Sequence, residues 1–213
     1  MTSTPLHQRN ELFSARLIEN LRRRHIEACY CATASEAALQ VSALIADGSS
    51  VSWGGSMTVR DMGLPALLEA RGTLSLLDRD KATGDDVRRI YLQAMDADVY
   101  LTSANALSED GVIVNVDGNG NRVAAITWGP RRVIHIISLN KVAPTVEDAI
   151  ARARHTAAPV NAQRFDINTP CRRDGQCHDC NSYDSICSYI HLLRNVRNAG
   201  RHTVVLVGES MGY

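Results

Sequence analysis

Four cysteines fall within seventeen residues, as Cys171-x5-Cys177-x2-Cys180-x6-Cys187, directly after Pro170. Thiolates at this density are the soft anionic ligands that a tetrahedral zinc ion or an iron–sulfur cluster needs. Zinc ribbons pair two C-x2-C knuckles and here there is one, while three close cysteines plus a fourth suit a cluster at least as well. The spacing leans to iron and sulfur and leaves zinc open; four reduced thiols in a loop are the plain alternative. His178, inside the knuckle, reads as a bystander.

A second set of chemistry-bearing residues is dispersed. Val51-Ser-Trp-Gly-Gly-Ser-Met-Thr-Val59 reads as a strand end, a glycine turn and the first turn of a helix. Gly54 and Gly55 let the backbone turn and approach a ligand, and Ser56 or Thr58 can cap the helix, with Met57 between them. Free amides at such a start suit phosphate or carboxylate, although a tight turn that needs no ligand explains the same residues equally. Ser103, Ala104 and Asn105 form another strand end, and Asp110, Lys141 and Glu209 stand at comparable places. Amides, an ammonium and carboxylates together are equipped for a small anion and for proton transfer. Lys141 is the candidate counter-charge, and Asp110 or Glu209 the candidate general base. A solvated strand end for Lys141 and a turn residue for Asp110 are the ordinary alternatives. His135, midway along Val-Ile-His-Ile-Ile, reads as a hydrogen-bonded core histidine.

The elements that must position these residues alternate. Glu11–Arg24 has the three-and-four spacing of an amphipathic helix ending in three arginines, Ile26–Ala32 reads as a strand, and Ser35–Ala46 as a helix. Cys29 and Cys31 read as ordinary strand residues. The helix after the glycine turn runs to about Ala70, with Pro65 kinking it or opening a second piece. Thr73–Leu77 and Asp98–Thr102 are strands flanking a helix over Asp86–Asp96. Such alternation predicts a mostly parallel, Rossmann-like α/β sheet with helices on both faces and ligands at the carboxyl ends of its strands. Gly111–Val116, Asp117-Gly-Asn-Gly-Asn121 and Arg122–Thr127 have the pattern of an antiparallel hairpin excursion. Arg132–Ser138 is the most apolar strand, Thr145–Ala157 a capped helix, Ile186–Arg194 a short helix or strand, and Thr203–Val207 a final strand.

The 213 residues, 45% hydrophobic, predict one α/β domain over 1–213 with a cysteine-rich segment at 166–190. Twenty-three basic residues balance twenty-three acidic ones, which disfavours nucleic acid and an anionic membrane as partners. No apolar run approaches the roughly 20 residues of a membrane span, and the polar start has no signal-peptide core, so a cytoplasmic protein is expected. There is no Gly-x-Ser-x-Gly elbow, Walker loop or complete Gly-x-Gly-x-x-Gly, so hydrolase, nucleotidase and dehydrogenase readings lack a motif.

Several stretches together resemble the lactate-utilisation (LUD) domain family: Val51-Ser-Trp-Gly-Gly-Ser-Met-Thr, Leu101-Thr-Ser-Ala-Asn-Ala-Leu-Ser-Glu-Asp-Gly, Asp117-Gly-Asn-Gly-Asn-Arg-Val-Ala-Ala, Asn140-Lys-Val, Ala158-Pro-Val-Asn-Ala and Thr169-Pro-Cys. The cysteine block and Val205-Leu-Val-Gly-Glu-Ser-Met-Gly-Tyr213 are similar to its variant with a C-terminal four-cysteine motif. The resemblance implies a fold like ribose-5-phosphate isomerase, glucosamine-6-phosphate deaminase and CoA transferases, with a substrate at the loop from Gly54 to Thr58. It further implies an accessory redox role in oxidising L-lactate to pyruvate beside iron–sulfur partner subunits, with a small anionic metabolite as ligand, and it admits a homo-oligomer. A sugar-phosphate isomerase or CoA-transferase-like enzyme, and a non-catalytic ligand sensor with structural zinc, are the competing expectations.

Overall fold

The computed structural model describes residues 4–213. Helix α1, Pro5–Arg23, starts where the Thr4 side chain accepts from the His7 amide, and it turns Leu17 and Leu21 into the core. There follow β1 (Glu27–Cys31), α2 (Ala34–Ala43), β2 (Ser50–Trp53), α3 (Met57–Asp61), α4 (Leu64–Arg71), β3 (Ser75–Leu77), α5 (Asp85–Ala94) and β4 (Val99–Thr102). Pro65 opens a second helix rather than kinking one: Gly63, at φ 71°, breaks the path between α3 and α4. Beyond β4 come β5 (Ala106–Ser108), β6 (Ile113–Asp117), α6 (Asn121–Thr127), β7 (Arg132–Ser138), β8 (Val142–Ala143), α7 (Val146–Arg152), α8 (Ala158–Ala162), α9 (Pro170–Asp174), β9 (Tyr189–Leu193) and β10 (His202–Val207).

Six strands form one sheet in the order β1-β10-β7-β4-β2-β3, and every neighbouring pair in it is parallel. Helices α2, α3 and α4 pack Val41, Val59, Leu64 and Leu68 against one face of it. On the other face α1 meets Leu107 and Ile113 of a second sheet, ordered β8-β5-β6-β9, over Ile137, Val204 and Leu206. A fully buried Leu or Ile contributes about 1.5–3 kcal/mol, so these two layers hold the strand ends in fixed relation. Among the described residues no helix is long and apolar enough to cross a membrane.

The expected hairpin is corrected in its second half. Arg122–Thr127 is helical, and β6 pairs antiparallel with β5 and β9 instead. The cause is local: Asp117 Oδ1 accepts from the amides of Asn119 and Gly120, so the Asp-Gly-Asn-Gly turn winds into a helix start instead of reversing a strand. Val123 and Ile126, three apart, then both point inward. The helix begun at Val146, with Thr145 as its cap, also continues past its expected end. A π-turn over Ala153–Ala157 carries it into α8 through Pro159, whose missing N–H an ordinary helix could not absorb. That extra length delivers Asn161 and Arg164 to the strand ends.

The crossover from β2 leads outward to β3, whereas the chain from β4 proceeds the other way to β7. Their loops therefore part between neighbouring parallel strands, which is where open α/β sheets form a ligand crevice.

Candidate functional site

At this crevice lies a cavity of about 420 Å³. Its floor is the loop from Gly54 to Thr58 after β2, with Ser103, Ala104 and Asn105 after β4. Ser56 accepts from the Val59 amide at 3.4 Å and so caps α3, which frees the Thr58 hydroxyl to turn toward Lys141. A side chain at Gly55 would stand 3.1 Å from Arg79 Nη2, and one at Gly54 3.0 Å from the Tyr100 hydroxyl. The two glycines thus admit a guanidinium and a phenol close to the backbone.

Three arginines enclose this floor. Arg122 donates to Asn105 Oδ1 at 2.9 Å, to the Val116 carbonyl at 2.6 Å and to Asn115 Oδ1 at 3.3 Å, and it lies 3.4 Å from Asp117. Arg79 donates to the Tyr91 hydroxyl at 2.6 Å. Arg164 spans the mouth, donating to the Gly55 carbonyl at 3.2 Å and to Asn161 Oδ1 at 3.1 Å. Asn161 Oδ1 also accepts from the Tyr213 hydroxyl at 3.1 Å, which brings the segment after β10 into the wall. Asp117 and Asp184 are the carboxylates of the lining, and both are engaged: Asp117 by Arg122 and two amides, Asp184 by the Asn168 amide at 2.8 Å. The cationic side chains of the lining outnumber the acids, which leaves the cavity electropositive.

Lys141 stands at the base of the cavity, only 2% exposed. Its Nζ donates to the hydroxyls of Thr58 and Ser103, each at 3.0 Å, and makes no ion pair within 4 Å among the described residues. Burial, reinforced by Arg152 and Arg122, pushes its pKa down from 10.5 to about 7. Lys141 therefore gives up its proton far more readily than a solvated lysine, and the arginines supply the permanent positive charge.

Of the residues expected from sequence, Gly54, Gly55, Ser56, Met57, Thr58, Ser103, Ala104, Asn105 and Lys141 all meet in this cavity. Asp110 and Glu209 do not line it. Asp110 lies in the β5–β6 turn, ion-paired with Arg24 and accepting from Ser108. Glu209 accepts from the Ala34 amide at 2.9 Å, at the start of α2. His135 is fully buried, with Nε2 3.0 Å from His202 Nδ1, and burial holds its pKa well below the usual histidine value. Arg79, Arg122, Arg164, Asn161 and Tyr213 are absent from the sequence-based set. Arg122 was hidden by the hairpin pattern, and the others sit in connections whose direction only the topology reveals.

Cys171, Cys177, Cys180 and Cys187 line a second cavity, of about 520 Å³. All four are half-buried free thiols. Cys171 Sγ is 3.4 Å from the Thr169 hydroxyl and Cys187 Sγ 3.3 Å from that of Ser185. His178, also in the wall, is held by Asp174 at 2.7 Å. Among the described residues no three His, Cys, Asp or Glu side chains stand close enough to hold a metal ion. A tetrahedral zinc would need its sulfurs within about 4 Å of one another. An iron–sulfur cluster distributes its four thiolates over two or four irons. The two cavities adjoin: Ser185 lines both, and the loop Tyr183–Ile186 walls the first while packing on Gly118, where an added side chain would come 3.0 Å from Ile186.

No curated protein matches the chain. Among solved structures, a DUF162 family protein from Deinococcus radiodurans aligns over 93% of this chain and 98% of its own, at 14% identity and a TM-score of 0.55, a likeness of fold. Ribose-5-phosphate isomerase A from Methanocaldococcus jannaschii aligns more loosely, over 83% of this chain and 94% of its own, at 11% identity and a TM-score of 0.42. The LUD domain model matches residues 14–207, spanning both sheets, the arginine-lined crevice and all four cysteines, and the chain belongs to the LUD domain family.

Proposed function

We propose that this protein binds a small carboxylate metabolite of the lactate and pyruvate kind in the switch-point cavity and acts as an accessory redox component of lactate oxidation. The observation that carries this reading is the convergence of Arg79, Arg122 and Arg164 on a floor of small polar residues, with both acids of the lining already engaged. A carboxylate entering there meets the guanidinium donors of three arginines, two of which also face Asp80 and Asp117. In the adjoining cavity, Cys171, Cys177, Cys180 and Cys187 would hold an iron–sulfur cluster, which supplies one-electron chemistry when bound. The shared wall at Ser185 supports a redox role, since it sets the two cavities side by side. Electrons would pass onward to iron–sulfur partner subunits. An isomerase or CoA-transferase reading draws no comparable support, because its candidate bases Asp110 and Glu209 are tied up outside the cavity.

Thermal unfolding with lactate, pyruvate and a sugar phosphate tests the anion. Stabilisation by the two carboxylates is expected, and a shift with the sugar phosphate alone would overturn the substrate class. Anaerobic purification followed by an absorption spectrum and metal analysis tests the cluster. A colourless protein carrying one equivalent of zinc would sink it.

A further inference from the structure

The chain contains twenty-one arginines and two lysines. Where it needs a permanent cation it uses arginine almost without exception, at the helix ends, in the ion pairs and around the crevice. One lysine, Lys81, is exposed and paired with Glu69 at 2.7 Å. The other is Lys141, buried at the base of the crevice, where its partners among the described residues are the hydroxyls of Thr58 and Ser103. Guanidinium stays protonated at any physiological pH, whereas an amine can give up its proton and become a nucleophile.

We propose that Lys141 is an imine-forming residue, whose Nζ condenses with the carbonyl carbon of an α-keto acid held by the arginines of the crevice. The proposal rests on the carboxylate reading of that cavity and narrows the substrate class to keto acids. In the step, the Nζ lone pair forms a C–N bond as the C=O π pair moves to oxygen, which takes up a proton while nitrogen gives one up. The carbinolamine hydroxyl then leaves as water after a second protonation, and a protonated C=N bond remains. Amine, keto acid and one proton become iminium and water, with no oxidant or reductant consumed. The hydroxyls of Thr58 and Ser103, both 3.0 Å from Nζ, are placed to relay these protons. A neutral fraction of the amine exists near pH 7 because burial depresses its proton affinity. Room beside Nζ depends on Gly212, where an added side chain would come 3.1 Å from Nζ and 2.6 Å from the Thr58 hydroxyl.

Reductive trapping tests this. The full-length protein is incubated with pyruvate and cyanoborohydride, and the adduct is located by intact mass and peptide mapping; Lys81 serves as the internal control and lactate, which has no carbonyl to condense, as the ligand control. Labelling of Lys141 at least about tenfold over Lys81 is expected, with none from lactate and none at position 141 in Lys141→Arg. Equal labelling of the two lysines would overturn the proposal. So would the absence of an adduct while pyruvate still raises the melting temperature, an outcome that leaves the anion-binding reading standing. If pyruvate neither traps nor stabilises, both readings fail together. Mapping of the wild-type adduct decides the matter even if Lys141→Arg does not fold.

Discussion

The two cavities are built in opposite ways. The crevice draws on chain segments from Gly54 to Tyr213, and its polar groups are cross-linked: Arg122 alone ties Asn105, Asn115, Val116 and Asp117. The cysteine cavity comes from one stretch plus a little of the helix before it, and from Gln163 to Asn195 only Thr169 is buried. One holds its groups by the core beneath it; the other holds them by loops. Geometry set by a packed core costs stability to disturb, whereas geometry set by loops waits for its ligand to fix it.

The largest expected effect lies in the crevice. Arg122→Ala would leave Asp117, 9% exposed at its side chain, without its cation, and would strip a donor from Asn105 and the Val116 carbonyl. Removing one member of a buried charged pair costs about 3–5 kcal/mol, and chemical denaturation should show a loss of that size together with loss of stabilisation by pyruvate. A loss below about 1 kcal/mol, the range of exposed pairs, would mean that the crevice is no better braced than the cysteine loop.

Lys141→Met should move stability the other way. Its amine binds a proton in the unfolded chain up to 10.5 but in the folded protein only up to about 7. Between those values the unfolded state holds more protons, so wild-type stability rises with pH across the window. Below it the protein carries the full penalty of burying the ammonium. Methionine removes that penalty but leaves two hydroxyls without their donor, for a net gain of about 2–3 kcal/mol at pH 7. Denaturant titrations from pH 7 to 10 should show the variant's advantage shrinking as pH rises. A constant difference would mean that Lys141 is not held against its own ionisation.

The same contrast governs what could be read before the fold was known. The alternation of strands and helices was legible because each element obeys its own period, and the cysteines because they are close in sequence. Gly54 to Thr58, Ser103 to Asn105 and Lys141 were legible as strand ends, since parallel sheets gather those ends on one side. Arg79 and Arg164 were not, because nothing in a polar connection states where the crossover will carry it. Arg122 was misplaced because Asp117-Gly-Asn-Gly satisfies two turn chemistries. The side-chain carboxylate of Asp117 selected the helical one only in three dimensions, by taking the amides of Asn119 and Gly120. Asp110 and Glu209 had the right residue type at strand ends, but Arg24 and the start of α2 claim them.

The smallest expected effect is the most telling for the comparison. Replacing Cys171, Cys177, Cys180 and Cys187 together by serine exchanges half-buried thiols for hydroxyls in a segment with almost no buried residues. With metal removed from both proteins, the fold should lose no more than about 1 kcal/mol, because the sheets and their two core layers do not lean on this stretch. Of the four, Cys187 packs against the apolar cluster that includes Ala153 and Val116, and it should account for most of the loss. Melting measured with pyruvate sharpens the result. The loop Tyr183–Ile186 walls the crevice, and Ser185 lines both cavities, so anything that orders the cysteines should also order that wall. By linkage, pyruvate should then stabilise the cluster-loaded wild type more than the four-serine variant, while both metal-free proteins respond alike. A drop of several kcal/mol in the metal-free variant would instead make the segment a structural element on the same footing as the crevice.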